Sequence, residues 1–325
     1  MLIPSLMGAA GLLLLAVAAD HLVLGASRLA ANLRISPVVV GVVVIGLGTS
    51  APEFLVSGLA AAHGDMGIAV GNIVGSNILN LTLILGVAAL IGPIGVSSTI
   101  VRREVRLSVA AVAAFAVLTR AGLGLWTGIV LGLAMASVLL LLVHWAGQGR
   151  NTDLADATTD FTESPAVLDV PVPPVRVPAW VEPVRAALGL VGVLVGAQLL
   201  VVNASTIAER LGVPQVVIGF TLVALGTSVP ELVTTIAAQR RGEAELVVGN
   251  LFGSNLFNSL AGGAVVGLFA TRTATEPANL ALLVAMVFTA VLAWALLRRG
   301  LRLTRPEGVI LLVIYTAILP LVLTS

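Results

Sequence analysis

Residues 46–80 read GLGTSAPEFLVSGLAAAHGDMGIAVGNIVGSNILN, and residues 224–258 read ALGTSVPELVTTIAAQRRGEAELVVGNLFGSNLFN. The two stretches align without a gap at an offset of 178, and 15 of the 35 positions are identical. The identities include Thr49/Thr227, Ser50/Ser228, Pro52/Pro230, Glu53/Glu231, Ser76/Ser254 and Asn80/Asn258. The segments that hold them are otherwise largely apolar, apart from the His63-Gly64-Asp65 and Arg240-Arg241-Gly242-Glu243 loops. Polar and helix-breaking residues at corresponding places in two hydrophobic segments point to a membrane transport site at the interface of two repeats.

Composition supports the membrane. Of 325 residues, 58% are hydrophobic and 10% charged, and the mean hydropathy is +1.10, so the bilayer is the solvent to reason with. The net charge of +1 says nothing about acidic partners, and nothing points to nucleic acid. All 17 basic residues are arginine, which suggests a GC-rich bacterial source and hence the plasma or inner membrane. The absence of cysteine removes disulfides, thiolate metal sites and thiol catalysis. No arginine precedes the first apolar run, so a retained first helix is expected rather than a cleaved signal peptide.

A spanning helix needs about 20 mostly apolar residues. Ten candidates meet that need: 4–31, 37–62, 67–91, 104–119, 123–146, 181–208, 214–239, 244–269, 278–297 and 307–324. Residues 147–180 are first acidic (Asp153, Asp156, Asp160, Glu163) and then proline-rich (PVPPVRVP), the composition of a loose linker. Five spans on each side of it would turn the two repeats upside down relative to one another. The arginines give an independent test: 14 fall at one end of the spans, and only Arg120, Arg210 and Arg272 at the other. That bias puts the linker in the cytoplasm and both termini outside. The expectation is therefore an all-α integral membrane protein of ten transmembrane helices in two inverted five-helix repeats. The first repeat is 1–146, the cytoplasmic linker 147–180 and the second repeat 181–325.

Glu53 and Glu231 lie inside apolar spans, where an ionisable residue marks a functional site by default. The plainer reading makes each glutamate a hydrogen-bonding tie between helices, but both copies keep it in the same GTSxPE frame. No lysine exists to neutralise the pair, so a bound cation is the natural partner. Pro52 and Pro230 lack an amide donor, which frees carbonyls one turn earlier, near Gly48 and Gly226. The helix should break there and turn backbone oxygens toward a cavity. Thr49, Ser50, Thr227 and Ser228 add hydroxyls. Ser76 with Asn80, and Ser254 with Asn258, stand four apart on one helix face. The glycines and serines of this second motif also suit close helix packing. Asn72, Asn77, Asn250 and Asn255 are expected mainly to bond helix to helix. An all-oxygen set with two carboxylates suits calcium, which takes about 6–8 oxygen ligands, and sodium fits the same oxygens at lower charge. Softer metals would call for imidazole or thiolate.

GTSAPE with GNIVGSNILN, and GTSVPE with GNLFGSNLFN, resemble the paired alpha-repeats of the sodium/calcium exchanger family, within the cation/calcium antiporter superfamily. The resemblance covers nearly the whole chain. It implies alternating access, with gating helices sliding across an ion-holding bundle and sodium influx driving calcium extrusion. By that resemblance Glu53 and Glu231 are central calcium ligands, completed by the Thr49 and Thr227 carbonyls. Ser50, Ser76, Ser228 and Ser254 flank them in sodium sites with backbone oxygens around Gly46 and Ala224, and Asn80 and Asn258 line the middle. Calcium and sodium are cargo; no cofactor and no obligatory protein partner is implied. Some relatives carry aspartate where this chain has Asn258, and its loss argues against potassium as a co-substrate. The linker is too short for the regulatory calcium-binding domains of animal exchangers.

A proton-driven calcium antiporter of the same superfamily is the alternative, with the glutamates titrating. That branch usually shows GNAxE where this chain has GTSxPE. An intramembrane enzyme would need paired aspartates, a serine with its base or a metal motif such as HExxH, and none is present. A passive channel would lack coupled counterflow. Asp20 aligns with Gln198, so the repeat does not keep its charge; His21 or a helix end is its expected partner. Trp126, Trp145 and Trp180 fall near helix ends, as interface anchors do.

Overall fold

The structure, a computed structural model, describes residues 2–159, 178, 180–212, 224–270 and 279–323. Helices dominate. In the first half they are α1 (Leu2–Leu33), α2 (Pro37–Thr49), α3 (Ala51–His63), α4 (Met66–Ile91), a short α5 (Ser98–Arg102), α6 (Glu104–Ala121) and α7 (Leu125–Thr159). In the second they are α8 (Val181–Arg210), α9 (Ala224–Thr227), α10 (Val229–Arg240), α11 (Ala244–Phe269), α12 (Leu280–Gly300) and α13 (Arg305–Leu323). Helix α7, the fifth expected span, runs on through Thr159, into sequence that reads as linker. Of the expected spans, 214–223 and most of the 270–279 connection fall outside the described residues, as does the rest of the linker apart from residues 178 and 180.

Among the described residues, six helices are long and apolar enough to cross a membrane, and seven if α2 and α3 form one bent span. Burial sorts them. The most apolar windows of α4 and α11 are 78% and 83% buried, against 28% for α1, α7 and α8. The two motif helices are thus the centre of the bundle, and the long helices present leucine and valine outward, as lipid contact requires. All-helical patterning misses one detail: β1 (Ile94–Gly95) pairs antiparallel with β2 (Arg302–Leu303). This two-residue ladder binds the α4–α5 and α12–α13 connections, with Arg102, Arg103, Arg298, Arg299, Arg302 and Arg305 in or beside them.

Close approach explains the packing. Helices α1 and α8 run antiparallel, with Gly25 against Ala186 and Gly189 against Leu22; a Cβ on Gly189 would lie 2.5 Å from the Leu22 nitrogen. Membrane helices associate through such small residues because lipid supplies no hydrophobic drive between them. Asp20, on α1, pairs not with His21 but at a helix end, with Arg241, the residue that caps the C-terminus of α10.

Candidate ion-binding site

The site begins where two helices break. Between α2 and α3 the axis bends by 45°. Ser50 leaves helical geometry at the break (φ −80°, ψ 3°), and Ser228 does the same between α9 and α10 (φ −93°, ψ 6°). Pro52 and Pro230 then occupy the first turn of the next helix, where a missing N–H costs no hydrogen bond. Glu53 and Glu231 sit in those same first turns. Unpaired N–H groups and the positive end of the helix dipole favour a carboxylate there.

The second motif adds a different irregularity. Helices α4 and α11 each widen into a five-residue π-helical turn, Asn80–Ile84 and Asn258–Gly262, so the motif asparagine opens the turn in both. Such turns loosen the backbone ladder locally and are frequent at functional sites. Another π turn, Gly41–Gly46, lies in α2. It packs directly on α11: a Cβ on Gly253 would stand 2.7 Å from the Val42 Cα, and one on Gly249 would stand 2.6 Å from the Val38 oxygen. The first half's broken helix is thereby seated on the second half's motif helix.

The side chains cross between halves. Ser228 Oγ donates to Glu53 Oε1 at 3.1 Å, and Ser50 Oγ donates to Glu231 Oε1 at 3.2 Å. Each carboxylate therefore rests on the serine of the opposite repeat. Ser254 Oγ lies 3.2 Å from the Gly46 carbonyl and 3.4 Å from Glu231 Oε1, so its single proton serves one of them at a time. Ser228 and Ser76 hydroxyls are 3.4 Å apart. Glu53 and Glu231 are 1% and 0% exposed, and Ser50, Ser76, Ser228 and Ser254 are buried with them. Yet Oε2 of both glutamates has no hydrogen-bond partner among the described residues. Asn258 is fully buried with neither amide atom partnered, and Asn80 has its Oδ1 free in the same sense. Buried polar atoms are rarely left so, because each costs its desolvation energy.

Of the ten residues expected at the site, six (Ser50, Glu53, Ser76, Ser228, Glu231 and Ser254) are joined by these contacts. Thr49 Oγ1 bonds the Ile45 carbonyl at 2.9 Å and lies 3.4 Å from Asn250 Oδ1. Asn80 donates to Asn255 Oδ1 at 2.9 Å. Thr227 is buried beside Ser228. Asn72 and Asn250 act as ties between helices: their Nδ2 atoms reach the Glu53 and Glu231 carbonyls, each at 3.3 Å. Asn72 also reaches Ser57, while Asn250 reaches Thr234 and Thr235. Asn255 donates to the Asn77 carbonyl and Asn77 to Ser259, so both bond across helices as expected. Ser57 and Thr235 were not singled out from the sequence. Their hydroxyls occupy equivalent repeat positions, and that match was the available signal.

The centre therefore offers two carboxylates without an arginine partner among the described residues, with hydroxyl, amide and carbonyl oxygens around them. The family model described as sodium/calcium exchanger protein matches residues 4–144 and 182–324. The chain belongs to the sodium/calcium exchanger family. It is 30% identical over 333 residues to the sodium/calcium exchanger MaX1 of Methanosarcina acetivorans, covering 95% of each chain. It is 37% identical to the inner membrane protein YrbG of Escherichia coli, over 93% of this chain and 91% of that one. Among solved structures it is similar to the sodium-calcium exchanger NCX_Mj, in crystals soaked with sodium and calcium. The TM-score is 0.81 at 31% identity, and 98% of both chains is covered. The fold is thus that of an exchanger-family antiporter, a family of membrane transporters.

Proposed function

We propose that this protein exchanges sodium for calcium across the membrane by alternating access. The observation that carries the reading is the crossed centre: two buried glutamates, each bonded on one oxygen by the opposite repeat's serine and unpartnered on the other. A divalent cation suits two carboxylates. Glu53 and Glu231 hold calcium with the Thr49 and Thr227 carbonyls. Ser50, Ser76, Ser228 and Ser254 supply sodium ligands, and Asn80 and Asn258 line the middle. With asparagine at 258 no third carboxylate is present to hold potassium. The names of MaX1 and NCX_Mj as sodium/calcium exchangers favour the same ion pair.

The architecture we assign is ten spans in two inverted repeats, 1–146 and 181–325, around a linker at 147–180. Two observations support it. The repeat-equivalent helices α1 and α8 cross antiparallel, as inversion demands. The β1–β2 ladder joins two connections that the arginine distribution places on one side. That side is the cytoplasm, both termini lie outside, and the membrane is the plasma or inner membrane.

The test is calcium-45 uptake into proteoliposomes loaded with sodium, beside sodium-free, potassium-loaded and pH-gradient controls, for wild type, Glu53→Gln and Glu231→Gln. Uptake that needs internal sodium and disappears in both variants is expected. Uptake driven by a pH gradient alone would move the protein to the proton-coupled branch, and flux without a counter-ion would end the antiport reading.

A further inference from the structure

Away from the carboxylates, the loop after α10 is tied to α1 by two contacts. Arg241 donates to Asp20 through Nε at 2.6 Å and through a second guanidinium nitrogen. Ser27 Oγ donates to Glu243 Oε1 at 2.5 Å. Asp20 and Ser27 are seven residues apart, two turns along one face of α1, so a single helix face holds the loop. Both contacts join the first half of the chain to the second, at the arginine-rich end.

The repeat shows what should exist at the other end. At the offset of 178, Ser27 corresponds to Ser205, Glu243 to Asp65, Asp20 to Gln198 and Arg241 to His63. The serine and the acid are thus kept in both repeats. Their states differ. Ser205 Oγ is buried without a partner among the described residues, while Asp65 is exposed. The same donor and acceptor are joined at one end and apart at the other.

We infer that Ser27–Glu243 and Ser205–Asp65 are the two settings of one latch, closed in turn at opposite ends of the protein. In this structure it is closed at the arginine-rich end. In the opposite setting α8 holds the α3–α4 loop through Ser205 and Asp65, and Ser27 releases Glu243. The Asp20–Arg241 ion pair has no charged equivalent at Gln198 and His63, so it favours the setting seen here. His63 is turned to its own helix, with Nδ1 2.7 Å from the Leu59 carbonyl. These are positioning residues: they touch no transported ion and act by setting which end is shut. The inference rests on the alternating-access reading but not on which ions move.

Because the chain has no cysteine, engineered pairs react alone. Ser27→Cys with Glu243→Cys, and Asp65→Cys with Ser205→Cys, would be treated with a short, cleavable thiol crosslinker in full-length protein in liposomes. A protease site within 160–177 then separates the halves unless a crosslink joins them. The first pair is expected to crosslink under ion-free conditions, and the second once an ion gradient drives the opposite setting. A four-cysteine variant should never carry both crosslinks in one molecule. Either crosslink should stop exchange until it is cleaved. Asp20→Asn should raise the second crosslink relative to the first by about two- to fivefold, the modest effect of a pair that is 55% and 31% exposed. Asp20→Arg combined with Arg241→Asp should restore the original ratio. Both crosslinks in one molecule, or a second pair that never reacts under any ion gradient in protein that transports, would overturn the latch. Wild-type flux that ignores sodium would overturn the ion assignment instead, and crosslink exclusivity would still decide the latch.

Discussion

Glu231→Gln tests the charge argument most directly. The substitution keeps the side chain's shape and one carbonyl oxygen but removes a full charge from a residue that is 0% exposed. Removing one member of a buried ionic contact costs about 3–5 kcal/mol. At about 1.4 kcal/mol per decade, calcium affinity should fall by about two to four decades. Coulomb attraction scales with the charge of the ion. Sodium, with one charge, should therefore lose roughly half as many decades as calcium. Equilibrium calcium-45 binding to purified protein, with sodium as competitor, measures both losses on one sample. Glu53→Gln should behave alike, because the two carboxylates hold equivalent positions across the halves. Equal losses for the two ions would refute the electrostatic account and make the glutamate a mere hydrogen-bonding tie. An unchanged calcium affinity would remove Glu231 from the site.

Two further outcomes follow from the packing around that centre. Ser228→Ala strips Glu53 Oε1 of its donor and should destabilise the ion-free protein by about 1–3 kcal/mol. Saturating calcium should shrink the deficit, since the ion then compensates the carboxylate; thermal denaturation with and without calcium shows whether it does. Gly253→Ala would push a methyl to 2.7 Å from the Val42 backbone, an overpacking cost of about 1–3 kcal/mol. A variant as heat-stable as wild type would mean that α2 and α11 are not so closely seated.

The helix breaks were legible because their causes are local: Gly48, Pro52 and Pro230 state them in the sequence. So were the buried glutamates, since an acid repeated in an apolar frame has few other uses. The π turns were not. A shift from i+4 to i+5 bonding needs no special residue, and Asn80-Leu81-Thr82 looks like ordinary helix. Nor did the repeat reveal which serine would meet which carboxylate, because alignment pairs Ser50 with Ser228 and is silent on whether each serves its own glutamate. The partner of Asp20 was invisible for a related reason: Arg241 is 221 residues away, and the repeat equivalent of Asp20 carries no charge.

The exchange of serines between the halves has a consequence for assembly. Neither half holds a finished site, because each glutamate takes a serine donor from the other. What the site requires is two copies of the GTSxPE motif facing one another, not one continuous polypeptide. Two separately made halves that find each other in a bilayer would restore the full set of bonds, whereas the first by itself would lack the Ser228 donor to Glu53 and the second would leave Glu231 with Ser254 alone.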